Sequence, residues 1–140
     1  MITALDSNIL VALWEADNTL SLAANLALKS ARAAGNLIIS APVYAELLAG
    51  AGRTEKFLDS FFSGTGIAID WDLDESVWRS AGLAYQSYAK RRRKQRSSEP
   101  RRIQADFLIG AHALEHGYNL LTLDERLYAA AFPRLAINSI

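Results

Sequence analysis

Four acids stand in apolar stretches where a carboxylate has little ordinary reason to be. Asp6 directly follows MITAL, Glu46 lies within APVYAELLAG, Asp106 heads ADFLIGAHAL and Asp124 follows NLLT. Carboxylates are seldom buried unless they are paired or bound to a cation. Each acid also has a structural use: Asp6 and Asp124 as helix N-caps, Asp106 as a first-turn partner of a helix dipole, and Glu46 as the solvent-facing residue of a helix packed through Val43, Tyr44, Leu47 and Leu48. Together they have a chemical one. Two carboxylates about 4–5 Å apart repel by roughly 3–4 kcal/mol at an effective dielectric near 20, so four can converge ionised only around a cation. The chain has no cysteine, so an all-oxygen donor set points to a hard ion. Mg²⁺, with Mn²⁺ as a substitute, keeps several waters and accepts phosphate oxygens as further ligands.

The charge distribution supplies a counterpart. Across 140 residues, 15 basic and 15 acidic side chains cancel. Yet Lys90 to Arg102 holds eight basic residues and one acid, a net +7, and the remainder of the chain is −7. This run stops four residues before Asp106, which sets positive charge at the rim of the acidic cluster. Arg91, Arg92, Arg93, Arg96, Arg101 and Arg102 are the candidates for holding the phosphates of a polyanion while one phosphate meets the metal. Only Tyr85 and Tyr88 are close enough in sequence to stack on bases, so backbone contact is favoured over base reading. By itself the run also reads as a solvated helix end.

Three other readings compete. His112, Glu115 and His116 spell H-x-x-E-H, the ligand order of one class of zinc peptidases. That site needs a further ligand downstream, where Glu125 is the sole acid besides Asp124. A phospho-receiver domain would use Asp70, at the end of IAID, as its acceptor, but the first strand lacks the adjacent acidic pair that such domains use for Mg²⁺. A non-catalytic RNA-binding module would leave the four acids to repel its own ligand.

The elements that must position these residues follow from periodicity and breakers. MITAL, LIIS, IAID and NLLT read as short buried strands, and LAINSI would add a fifth. Helices are expected from near Ile9, from Asn18 to Ala34, from Pro42 to Gly50, from about Thr54 to Phe62, from Asp74–Glu75 into the basic run, from Ile103 to His116 and from Asp124 to Ala131. Strands alternating with helices, without hairpin turns, argue for βαβ units and a parallel sheet covered on both faces. In such sheets ligands bind beyond the carboxyl ends of the strands, where strand order reverses. Asp6 and Asp124 sit at strand ends.

DSNIL, APVYAELLAG, ADFLIGAHAL and LLTLD, in this order along the chain, resemble the four signature blocks of the PIN-domain ribonucleases, specifically the VapC-type toxins of toxin–antitoxin systems. The resemblance implies a three-layer α/β/α PIN-like fold with a parallel four- to five-stranded sheet. It implies Asp6, Glu46, Asp106 and Asp124 as the catalytic metal site, with Glu125 a rival for the fourth place. It further implies Ser7 and Thr122 as hydroxyl supports of those acids, a Mg²⁺-dependent endoribonuclease activity, a cognate VapB-type antitoxin and a homodimer. The length and the 51% hydrophobic content fit one domain over residues 1–140. Met1 to Trp14 carries Asp6 and no basic leader, so it does not read as a signal peptide, and no apolar run approaches a membrane span. A cytoplasmic protein without membrane attachment is expected.

Overall fold

The computed structural model describes residues 1–15, 17–94 and 104–140. Five strands form one parallel sheet: β1 (Ile2–Leu5), β2 (Asn36–Ser40), β3 (Ala68–Asp70), β4 (Asn119–Thr122) and β5 (Ile137–Ser139). Their order is β3-β2-β1-β4-β5. β1 lies in the middle, with Thr3 beside Leu37 on one flank and Asn119 on the other. The chain steps outward from β1 to β2 and β3, then crosses to the opposite flank for β4 and β5. The reversal therefore falls between β1 and β4. Both edge strands have only three residues, which limits the unpaired backbone they present.

Seven helices surround the sheet among the described residues: α1 (Ser7–Glu15), α2 (Asn18–Ala34), α3 (Ala41–Ala49), α4 (Glu55–Thr65), α5 (Glu75–Lys94), α6 (Ala105–His116) and α7 (Glu125–Ala131). α1 packs on α2, while α5, α3 and α7 all pack against α6, which completes an α/β/α sandwich. α6 is the inner helix of this second group. Its residues Phe107 to Ala113 are all buried, as its nearly all-round apolar sequence requires. The core joins Leu5, Ile9, Leu10, Ile39, Leu47 and Ile109 from strands and helices alike.

Local chemistry explains most boundaries. Asp17 caps α2 by accepting from the Leu20 N–H at 3.1 Å, and Thr54 caps α4 through the Phe57 N–H. α4 runs past Gly64 to Thr65, three residues beyond the expected Phe62. It stops at Gly66, whose left-handed φ of 71° is the conformation that lets glycine end a helix. α1 begins at Ser7 rather than near Ile9, and α6 at Ala105 rather than Ile103. LAINSI does supply a fifth strand, through Ile137–Ser139 on β4. Among the described residues no helix is long and apolar enough to cross a membrane.

Gly110 sets the separation of α6 and α7. A Cβ there would lie 2.4 Å and 2.6 Å from the buried Phe132 ring and 3.1 Å from Tyr128. Gly110→Ala gains about 1 kcal/mol of helix propensity but must push apart a filled contact, at a cost of roughly 1–3 kcal/mol. Gly64, in α4, has nothing within 4 Å of its would-be Cβ. Thermal melts of the two variants are expected to move in opposite directions, Gly110→Ala down by several degrees and Gly64→Ala slightly up.

Candidate metal centre

Asp6 leaves the end of β1 at the strand-order reversal, and its own N–H donates to the Leu121 carbonyl of β4 at 3.0 Å. This backbone bond holds the residue between the two strands. Only 3% of Asp6 is exposed. The Thr122 hydroxyl, at the end of β4, donates to Asp6 Oδ2 at 2.8 Å. Thr122 Oγ1 in turn accepts from the Asp124 N–H at 2.9 Å and, at a longer 3.4 Å, from Asn8 Nδ2. Asn8 Oδ1 accepts the Leu123 N–H. The first turn of α1 is thereby stitched to the end of β4.

Two helices bring further carboxylates to this point. α3, which starts directly after β2 with Pro42 in its first turn, carries Glu46. α6 carries Asp106 in its first turn. One oxygen from each of Asp6, Glu46 and Asp106 lies within 4.8 Å of the other two. Exposure increases from the buried Asp6 through the half-buried Asp106 to the exposed Glu46, so the group opens to solvent on the Glu46 side. The Ser7 hydroxyl donates to Glu46 Oε1 at 2.8 Å and lies 3.4 Å from Asp6 Oδ1. With one proton to give, it favours the shorter bond. Tyr128 of α7 is 1% exposed and donates to Asp106 Oδ1 at 3.3 Å.

These surroundings make ionisation unfavourable. Burial is the chief cause that pushes Asp6 above the usual carboxylate range, against the hydrogen bonds from Thr122, Tyr128 and Ser7. Glu46 is pushed up by burial and by the charges of Asp106 and Asp6, against its bond from Ser7. Asp106 is raised by burial and then by Asp6 and Asp124, against its bond from Tyr128. The Tyr128 hydroxyl is driven far upward by burial and the two aspartates, so it stays a donor. Among the described residues no Lys, Arg or His forms an ion pair with any of the three acids. Three oxygen donors with no nitrogen or sulfur among them fit a hard divalent ion.

Asp124 stands outside this trio. It is exposed, and its carboxylate accepts from the Leu127 N–H as the N-cap of α7. Its charge still reaches Asp106. Glu125 faces β5 and accepts from the Ser139 hydroxyl at 2.9 Å. Arg91 is exposed near the end of α5, Arg92 and Arg93 belong to the same helix, and Arg96, Arg101 and Arg102 lie outside the described residues. His112 and His116 occupy the far end of α6 and meet Asp70, whereas Glu115 is exposed and takes no part in that group. Asn8 and Tyr128 went unnoticed in the sequence. Asn8 carried a faint signal in DSN, and Tyr128 none.

The PIN domain family model matches residues 3–133. Among curated proteins none matches the chain. Solved structures do. VapBC-1 from nontypeable Haemophilus influenzae is 24% identical over 99% of this chain and 98% of that one, with a TM-score of 0.64. VapBC2 from Rickettsia felis, bound to a DNA fragment from its promoter, is 21% identical over 100% and 99%, at 0.60. A toxin–antitoxin complex from Klebsiella pneumoniae is 18% identical over 91% and 90%, at 0.56. At these identities the likeness establishes the shared fold.

Three acids with raised pKa values favour the native state when protonated. That contribution is full below their unfolded pKa and is lost as pH rises through the folded one. An ion that binds only the native state offsets the loss, by about 2.7 kcal/mol at a hundredfold excess over Kd. Mg²⁺ or Mn²⁺ is therefore expected to raise Tm at neutral pH by several degrees, and this rise should fade as the pH falls into the carboxylate range. Asp106→Asn should match or exceed the metal-free Tm of the parent and respond little to either ion.

Proposed function

The chain belongs to the PIN domain family, and on that premise we propose that it is a Mg²⁺-dependent endoribonuclease, the toxin of a type II toxin–antitoxin pair. One observation carries the reading: Asp6, Glu46 and Asp106 gather within 4.8 Å at the reversal of a parallel sheet, with no cationic side chain of the described residues paired to them. A plain RNA-binding surface has no use for such a group, since unneutralised acids repel a polyanion.

Asp6, Glu46 and Asp106 would hold the ion, with Asp124 as a fourth, outlying acid. When bound, Mg²⁺ supplies positive charge to a phosphodiester, polarising it toward attack by water and offsetting the charge that develops. The chain's own residues prepare that reaction. Thr122 occupies Oδ2 of Asp6 and so fixes the plane of its carboxylate. Ser7 orients Glu46, and Tyr128 orients Asp106. The Ser7 proton is committed to Glu46 and the chain has no cysteine, which favours water over a side-chain nucleophile. Glu46, at the exposed side, is the acid that an approaching phosphate meets first. Arg91, Arg92, Arg93, Arg96, Arg101 and Arg102 hold the RNA backbone in this reading.

A VapB-type antitoxin, a homodimer, one domain across residues 1–140 and a cytoplasmic location belong to the same proposal. The described neighbours that support it include complexes named as VapBC and as toxin–antitoxin.

Two measurements test this reading. Asp6→Asn and Asp106→Asn should each abolish Mg²⁺-dependent cleavage of total RNA while melting as cooperatively as the parent; an active, folded Asp106→Asn protein would sink the assignment. Changing Arg91, Arg92, Arg93 and Arg96 together to Gln should weaken binding of single-stranded RNA and flatten its dependence on log salt by about 3, at roughly 0.7 per lost phosphate contact. An unchanged slope would return the basic run to a solvated helix end.

A further inference from the structure

We propose that Asp70, His112 and His116 form a second metal site, of imidazole and carboxylate chemistry, that takes Zn²⁺ or its neighbours Co²⁺ and Ni²⁺ in preference to Mg²⁺ and ties β3 to α6. It uses none of the residues of the acidic centre. His112 and His116 lie six and ten residues beyond Asp106, about 9 and 15 Å further along α6 at 1.5 Å per residue.

The geometry is that of a built site. A spacing of four residues puts both imidazoles on one face of α6. Asp70 reaches them from the carboxyl end of the neighbouring edge strand. His112 Nε2 is 2.9 Å and His116 Nε2 is 4.0 Å from the same oxygen, Asp70 Oδ2. One ligand atom from each residue lies within 4.8 Å of the other two. Ligands bonded at about 2.0–2.1 Å to a tetrahedral ion sit roughly 3.3 Å apart, and the two observed separations bracket that spacing.

The surroundings orient each ligand. The Asp72 N–H donates to Asp70 Oδ1 at 3.1 Å, which leaves Oδ2 free to face the imidazoles. This is how outer partners commonly fix a metal-binding carboxylate. Tyr118 stacks on His116 with ring centroids 5.4 Å apart and packs edge-on against His112 at 5.7 Å. His112 is 1% exposed, while the side chains of Asp70 and His116 are 24% and 27% exposed, so an ion can enter from solvent.

A simple His112–Asp70 hydrogen bond accounts for only part of this. It leaves His116 Nε2 buried with no hydrogen-bond partner, a state that costs free energy unless something else satisfies the nitrogen. The other such atom among the described residues is Ser40 Oγ, and Ser40 is the register partner of Asp70 on β2. Both unpartnered atoms thus belong to residues beside Asp70 in the fold. An ion held by Asp70 and the two imidazoles satisfies His116 directly. Imidazole nitrogen selects Zn²⁺, Co²⁺ or Ni²⁺ over Mg²⁺. Three protein ligands would leave a fourth position for water.

The test uses untagged, metal-stripped full chain carrying Asp6→Asn and Glu46→Gln, so that the acidic centre does not compete. Added Co²⁺ should bind at one equivalent with visible ligand-field absorption, be displaced by Zn²⁺ and resist a large excess of Mg²⁺. His116→Ala, at a partly exposed position, should melt near its parent without metal and lose the absorption. Asp70→Asn, which can still bond to His112, should weaken Zn²⁺ affinity by more than the roughly tenfold that loss of an outer partner of a ligand costs. Absence of Co²⁺ binding in the parent, or the same spectrum and affinity in both variants, would overturn the site. Neither outcome bears on RNA cleavage, which is tested by the acids at the other end of α6.

Discussion

Holding a carboxylate out of water at the seam between β1 and β4 is the constraint around which the rest of this protein is arranged. Asp6 is buried, and two more acids are drawn toward it from α3 and α6. Burial and mutual repulsion both oppose that gathering. The compensation is distributed: a β1–β4 backbone bond fixes Asp6, hydroxyls from Thr122, Ser7 and Tyr128 donate to the three acids, and the side at Glu46 is open to solvent. The close approach of α7 to α6 at Gly110 is part of the same arrangement, since it brings Tyr128 within reach of Asp106.

Thr122 shows how tightly the polar groups are matched. A hydroxyl has one proton and two lone pairs. Its proton goes to Asp6, and its oxygen receives the Asp124 N–H at good distance and the Asn8 amide at a longer one. All three capacities are used, and with no exposure to water the group has one orientation. Serine could reproduce that pattern; valine, of similar shape, would take the acceptor from the Asp124 N–H and the hydroxyl donor from the buried Oδ2 of Asp6.

Much of this was legible in the sequence because it rests on local rules. Alternation of short apolar runs with helical periods gave the parallel sandwich, and acids embedded in apolar runs marked Asp6, Glu46 and Asp106. What escaped depends on neighbours remote in the chain. Asn8 looks like an ordinary turn residue until Leu123, 115 positions away, is set beside it. Tyr128 sits in ERLYAAA, where nothing distinguishes it from a core aromatic. Asp124 satisfied two readings at once, a helix cap and a member of an acidic group, and only its position in the fold reveals the cap. His112 and His116 were visible as a pair, but the H-x-x-E-H order points to a partner downstream. Strand order sets Asp70 beside them, 42 residues upstream of His112.

α6 serves different neighbours along its length. Asp106 and Gly110, one turn apart, address α7 through Tyr128 and Phe132, whereas His112 and His116 address β3 through Asp70. Each residue turns an α-helix by about 100°. Inserting or deleting a single residue between Gly110 and His112 would therefore swing one set of side chains about a quarter-turn off its target while leaving the other in place. Between Asp106 and His116 the register of α6 is therefore fixed to the residue, because the two sets of partners are held by different elements.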